Sequence, residues 1–187
     1  MEPVTFVSTN AGKAREVRQI LGEFGIPVAW KRRSLPEPQA DSLAAVTRSK
    51  LRAARSAGRS VLVEDSGLFI DSLHGFPGVY SAHVLRIWGF GPILELLRKR
   101  PRSATFRASV GWTDGRTVRL FAGEVRGSIA PRPRGSGGFG YDPIFVPEGW
   151  SRTFAEVPTA EKDRVSHRAR AFRAAGRFLV RSRGAPD

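Results

Sequence analysis

The period of the apolar positions changes several times along the chain, and each change marks an element. Residues 4–8 form a short β-rich run that predicts a strand. After Asn10-Ala11-Gly12-Lys13 the spacing becomes helical, with Val17, Ile20, Leu21 and Phe24 on one face until Gly25 breaks it. Residues 26–30 read as a second strand, and 31–40, rich in Arg and Pro, as irregular chain. Asp41-Ser42 signals a helix start. Leu43, Val46, Leu51 and Ala54 line that helix, expected to reach Ala57 and stop at Gly58. Residues 60–63 predict a buried strand that delivers Glu64 and Asp65 at its end, with a Gly- and Pro-rich loop over 66–80 and a helix over 87–98. Two further strands, 105–112 and 117–125, are joined through Asp114-Gly115, a hairpin signal. A loop over 130–142, a short strand at 144–146 and a helix from about 166 to 181 complete the chain. That last helix carries a stripe of Val165, Ala169, Phe172, Gly176, Leu179 and Val180. The β-α-β-α-β opening followed by a hairpin predicts an α/β fold on a mixed sheet flanked by helices. The stretches 31–40 and 128–142 both contain motif residues, so a single two-lobed domain over 1–187 is expected rather than linked domains.

Composition narrows the chemistry. The 187 residues contain no cysteine and three histidines, His74, His83 and His167, at spacings unlike a metal box. That excludes disulfides, thiolate sites and thiol nucleophiles, and argues against a His-based zinc site. No apolar run approaches the ~18 residues a membrane helix needs, and no leader pattern is visible, so a cytoplasmic protein is expected. The formal net charge is +14, and 26 of the 31 basic residues are Arg. Such a surface attracts polyanions without choosing among them.

Five segments could carry function. Ser8-Thr9-Asn10-Ala11-Gly12-Lys13 links a strand to a helix N-terminus, where free N–H groups and the helix dipole favour a phosphate. It is not a Walker A loop, because Val7 and Ala14 occupy positions that motif reserves for Gly and for Ser or Thr. An Asn cap with a surface lysine would look the same locally. Glu64-Asp65 lies at the end of a buried strand, where α/β sheets place ligand chemistry. Successive side chains face opposite ways, so one acid could hold Mg²⁺ or orient water while the other lies behind it. A polar strand terminus is the alternative. Glu37 is an acid in the stiff segment Leu35-Pro36-Glu37-Pro38. In Gly135-Ser-Gly-Gly-Phe-Gly-Tyr-Asp-Pro143, glycines around Phe139 and Tyr141 permit close approach to a flat ligand, or form a flexible tip. Lys162, His167 and Arg168 supply donors near the start of the last helix, where a solvated helix start would look similar.

Taken in order, these segments resemble the inosine triphosphate pyrophosphatase family, the diphosphatases of non-standard purine triphosphates. The resemblance is carried by FVSTNAGKAREV, LPEPQ, VEDSGLFIDSLHGFPGVYSA, GGFGYDPIFVPEG, TFAE and EKDRVSHRARA, and spans Phe6 to Ala171. It implies an elongated α/β structure with a groove between two lobes, usually homodimeric. The implied reaction splits ITP, dITP or XTP into a monophosphate and pyrophosphate with Mg²⁺, Mn²⁺ being a possible substitute. By the same resemblance, Ser8, Thr9, Asn10, Ala11, Gly12 and Lys13 form the triphosphate loop, and Glu37 and Asp65 the metal ligands. Asp65 is also the catalytic carboxylate, with Ser66 beside it on the substrate. Phe139, Gly140, Tyr141 and Asp142 form the base-stacking segment, and Lys162, His167 and Arg168 grip the purine edge. Two positions depart from the family pattern: Thr9 stands where Gly is frequent, and Asp163 where Asn is usual. The substrate is thus expected to be a nucleoside triphosphate, with no membrane and no specific nucleic acid as partner. The alternatives are a basic nucleic-acid-binding protein without hydrolase activity, or a pyrophosphatase for modified pyrimidine nucleotides.

Overall fold

The computed structural model describes residues 2–55 and 60–184, with side chains described to residue 182. The expected helix end at Ala57 and Gly58 lies outside the described residues. Six strands form one mixed sheet: β1 (Val4–Val7), β2 (Val28–Lys31), β3 (Val61–Ile70), β4 (Ser103–Thr113), β5 (Val118–Ile129) and β6 (Phe145–Pro147), in the order β2-β1-β3-β4-β5-β6. β1 runs parallel to both neighbours, with Val4 opposite Val28 and Thr5 opposite Val61, whereas β5 and β6 pair antiparallel. The helices are α1 (Ala11–Gly22), α2 (Leu43–Ala54), α3 (Ser81–Trp88), α4 (Gly91–Leu96), α5 (Thr159–Val165) and α6 (His167–Gly184). The α/β class and the mixed, helix-flanked sheet agree with the sequence reading.

The chain divides into two compact units. The first contains the residues up to Asp65, Ala108–Gly123 and the chain from Arg168 onward; the second contains Ser66–Arg107 and Glu124–His167. In the first unit, Phe6, Val17, Ile20 and Leu21 pack with Ala169, Phe172, Ala175 and Leu179 of α6, all essentially solvent-free. The Phe6 and Phe172 rings meet edge to face at 5.8 Å, a favoured geometry for an aromatic pair. In the second unit the core is Leu68, Ile70, Ile93, Leu97, Phe106, Tyr141, Phe145 and Phe154.

Several boundaries differ from the reading by periodicity. β3 does not stop before Ser66 but continues to Ile70. Gly67 permits this, because any Cβ there would overlap the backbone carbonyl of Gly78. The Ser81 hydroxyl accepts the Leu68 N–H at 2.8 Å and donates to Gly78 O at 2.6 Å, fastening the supposed loop to the strand. The single helix expected over 87–98 is two, α3 and α4, interrupted at Gly89 (φ 64°). Residues 159–165 form a helix of their own, and Ser166, with ψ 153°, separates it from α6. Of the expected α6 stripe, Val165 therefore packs in the second unit's core and Val180 is exposed.

Candidate functional site

In the first unit, β1 leads into the turn before α1. The Asn10 side chain caps that helix by accepting the Lys13 N–H at 3.0 Å, and Ser8 Oγ accepts the Asn10 N–H at 3.1 Å. The indole N–H of Trp30 on β2 donates to Ser8 O at 2.8 Å and so fixes the start of the turn. Ala11 and Gly12 occupy the first helical turn, where amides have no partner within the helix. Thr9 is exposed, whereas Ser8, Asn10, Gly12 and Lys13 are half-buried. This is the geometry of an anion-binding helix N-terminus.

The acids of β3 lie behind this turn. Glu64, whose side chain is solvent-free, receives Lys13 Nζ on Oε2 at 2.7 Å and Arg168 Nη2 on Oε1 at 3.2 Å. Arg168 Nη1 meets Glu16 Oε2 of α1 at 2.7 Å, and the Arg168 side chain is 2% exposed. Asp65 behaves differently: its Oδ1 meets Lys50 Nζ of α2 at 2.6 Å, and the same ammonium meets Glu37 Oε1 at 2.7 Å. Two carboxylates thus converge on one cation. Asp65 Oδ2 is buried and has no hydrogen-bond partner among the described residues. Burial pushes the Asp65 carboxyl above the ordinary aspartate value of 3.8, against the opposing pull of Lys50 and Lys13. Burial works against the Lys50 charge, yet Asp65 and Glu37 outweigh it and hold its pKa above the usual lysine value. The metal-free protein should therefore show Asp65 titrating above 3.8. Replacing Lys50 by Met should move that titration further up, since it removes a cation that favours the carboxylate. Carbon-detected NMR titration of the Asp65 carboxyl reads both, and an Asp65 pKa below 3.8 would contradict this electrostatic account.

The pair suits a hard divalent cation in one particular way. Magnesium takes few protein carboxylates and completes its shell with water and substrate phosphate. Among the described residues no group of three His, Cys, Asp or Glu side chains could form an all-protein cage. Glu37 and Asp65, with the unpartnered Asp65 Oδ2, offer the sparser donor set that magnesium accepts.

The second unit holds the glycine-flanked aromatic segment. Asp142 is buried, and its Oδ2 accepts both the Phe139 N–H at 2.8 Å and Lys162 Nζ of α5 at 2.6 Å. Gly138 (φ 68°) has no room for a Cβ, which would overlap that carboxylate. Lys162 Nζ also stands 4.7 Å from the Phe139 ring centroid and 5.7 Å from that of Phe154, a cation–π arrangement. Tyr141 points into the core: its hydroxyl donates to Ser81 O at 2.9 Å, and its ring lies 6.2 Å from that of Phe90. Burial pushes its phenol pKa up. Its contacts fasten the segment, while Phe139 and the exposed Gly140 form its outer part. The segment is also held from below, because Gly137 N–H donates to Ala155 O at 3.0 Å and the Thr153 hydroxyl to Arg134 O at 2.9 Å. Thr153 and Glu156 cap each other reciprocally there. The His167 ring is buried and lies nearly parallel to Phe106, 4.6 Å between centroids. Ser66, half-buried, opens this unit directly after Asp65.

The structure thus groups Ser8, Thr9, Asn10, Ala11, Gly12, Lys13, Glu37, Asp65 and Arg168 in the first unit. Ser66, Phe139, Gly140, Tyr141, Asp142, Lys162 and His167 belong to the second. Sequence reasoning missed Lys50, Glu16 and Trp30. Lys50 had a signal: it falls on the buried face of α2 with Val46, Thr47, Leu51 and Ala54, where a charge needs a partner. Glu16 shares the buried face of α1 with Val17 and Ile20 in the same way.

An α/β fold with a capped anion-binding helix end and two carboxylates meeting at one cation is equipped to handle phosphate. The Ham1 family profile matches residues 4–178. A dITP/XTP pyrophosphatase of Thermococcus kodakarensis is 47% identical over 179 residues, 94% of this chain and 96% of the relative. One from Methanopyrus kandleri is 49% identical over 173 residues, 90% of this chain and 92% of the relative. Among solved structures, a HAM1 protein from Coxiella burnetii superposes with TM-score 0.83 at 30% identity, covering 97% of this chain and all of that one. The Staphylococcus aureus Ham1 protein gives 0.79 at 27% identity, covering 95% and 99%. The chain belongs to the Ham1 family, and the resemblance drawn from its motifs is borne out.

Proposed function

We propose that this chain hydrolyses non-standard purine nucleoside triphosphates, ITP, dITP and XTP, to the monophosphate and pyrophosphate. That it is an enzyme of the nucleoside-triphosphate diphosphatase class follows from its kinship with the dITP/XTP pyrophosphatases. The observation that carries the mechanism is the meeting of Glu37 and Asp65 at one cation, Lys50, with Lys13 paired to the neighbouring acid Glu64.

In this reading Glu37 and Asp65 would hold Mg²⁺, or Mn²⁺ in its place. Bound there, the ion supplies charge neutralisation for the phosphates. Asp65 takes a proton from the water that attacks the α-phosphorus, as general base. The bond from the α-phosphorus to the bridging oxygen breaks, and pyrophosphate leaves. Lys13 and the α1 N-terminus, with the Ser8–Asn10 turn, stabilise the charge on the leaving group. Ser66 is a further substrate contact. Phe139 stacks on the base, and Gly140 allows it close approach. Tyr141 and Asp142 hold that segment in place. Lys162 and His167 face the purine edge. Lys162 carries donors only, so it suits the 6-keto oxygen of hypoxanthine or xanthine and mismatches the adenine amino group. A buried donor left unmatched costs ~1–3 kcal/mol. The motif resemblance adds a homodimer, and the sequence composition a cytoplasmic location. Among the described residues no helix is long and apolar enough to cross a membrane.

Pyrophosphate release from ITP, XTP, dITP, GTP, ATP and dUTP, with and without Mg²⁺, tests the reading. Fastest turnover of the deaminated purines supports it. Selective turnover of dUTP would favour a pyrimidine pyrophosphatase, and salt-sensitive nucleic-acid binding without hydrolysis a basic binding protein. The carboxylate pair has a separate check. Saturating Mg²⁺ should raise the midpoint of thermal unfolding of the wild type, because it binds the folded state alone. The same addition should leave Asp65→Asn nearly unmoved, and equal shifts in both would remove Asp65 from the metal site.

A further inference from the structure

We propose that Arg168 acts on the phosphate side of the site, as a positioning residue that holds Lys13 through Glu64, and does not read the base through its side chain. This rests on the reading of Lys13 as the cation for the triphosphate, and assigns Arg168 a role different from the one its motif implies. Three observations in the first unit carry it. The Arg168 guanidinium is 2% exposed and spreads its two terminal nitrogens over two acids, Nη1 on Glu16 at 2.7 Å and Nη2 on Glu64 at 3.2 Å. The second oxygen of that same Glu64 meets Lys13 Nζ at 2.7 Å. Finally, Lys13 is the member of this row of four charges that reaches solvent, with its side chain 17% exposed. Two anions and two cations alternate, from Glu16 of α1 to Arg168 of α6, Glu64 of β3 and back to Lys13 at the start of α1, ending at the ammonium that meets the ligand in this reading.

A planar fork holds two carboxylates at fixed directions through separate nitrogens, whereas an ammonium is a point charge on a flexible stem that sets no such plane. Glu16 and Arg168 thereby fix the carboxylate plane of Glu64, and Glu64 sets where Lys13 ends. Without that brace, Lys13 would sample the rotamers of a flexible four-carbon stem, and misplacement of a charge-bearing group by about 1 Å can cost ~10²-fold in rate. Phosphoryl transfer depends on positioned charge more than on covalent chemistry, so the reaction is sensitive to this placement.

A double-mutant cycle on the full-length protein decides the matter. Wild type, Lys13→Met, Arg168→Lys and the double variant are each assayed for kcat/KM on ITP and on ATP. Calorimetry on the same four gives their affinity for inorganic tripolyphosphate, which has no base. Circular dichroism establishes that each is folded, and Glu64→Gln serves as a second isosteric route to the same break. Arg168→Lys is expected to lower kcat/KM for ITP and ATP alike by about 10- to 100-fold. The ITP-to-ATP ratio should stay within about twofold, tripolyphosphate binding should weaken, and in the Lys13→Met background the substitution should add almost nothing. A ratio that falls about tenfold with tripolyphosphate affinity unchanged would overturn the proposal and make Arg168 a base-reading side chain. Additive losses in the cycle would overturn it as well, leaving Arg168 as packing. If the wild type failed to hydrolyse ITP while the tripolyphosphate cycle remained non-additive, the proposed function would fall and the brace would stand.

Discussion

Asp65→Asn should give a folded protein whose turnover of ITP is ~10²-fold or more below that of the wild type. The substitution keeps the shape of a side chain that is 9% exposed and removes its capacity to accept a proton. The fold has little reason to object. Burial already disfavours the Asp65 charge, and Lys50 keeps Glu37 as a counter-ion at 2.7 Å. The loss should therefore lie in kcat, measured by steady-state pyrophosphate release beside a matched far-ultraviolet spectrum. Near-normal turnover in a folded Asp65→Asn protein would remove this residue from the chemistry.

The second large effect is expected at Lys162. Its ammonium and the Asp142 carboxylate lie 2.6 Å apart with 2% and 3% of their side chains exposed. Breaking one half of a buried pair costs ~3–5 kcal/mol, because a charge is left in a poor solvent. Lys162→Met should lose stability of that order in urea unfolding and raise KM for ITP. Adding Asp142→Asn removes the stranded charge while keeping an acceptor for the Phe139 N–H. The double variant should recover much of the stability and none of the KM. Recovery of both together would mean that Lys162 serves the fold alone.

Local chemistry was the legible part of this chain. The Asp114-Gly115 hairpin could be read directly, because the Asp114 carboxylate accepts the Arg116 and Thr117 N–H groups at 2.9 and 2.6 Å, all within four residues. The Asn10 cap and the face of α1 were legible for the same reason, whereas Glu64 and Asp65, expected at a strand end, lie in the middle of β3. What stayed hidden depends on distant partners. Ser66-Gly67 looks like a turn until Gly78 and Ser81 are brought against it, when a small residue becomes a condition for continuing β3. The charged run Glu161–Arg164 gives no apolar period, although Lys162 and Asp163 inside it are buried. Arg168 shows the limit most clearly. Its motif points to a base edge, but its guanidinium is committed to Glu16, 152 residues earlier in the chain.

Lys50 also bears on how the protein matures. Clustered acids that depend on a metal usually tie folding to its supply, since their mutual repulsion has to be quenched before the chain can close. Here α2 delivers a resident countercharge to Glu37 and Asp65. If the proposed metal site holds, the newly made chain would reach its native state before any divalent ion binds, and loading would be a step separate from folding.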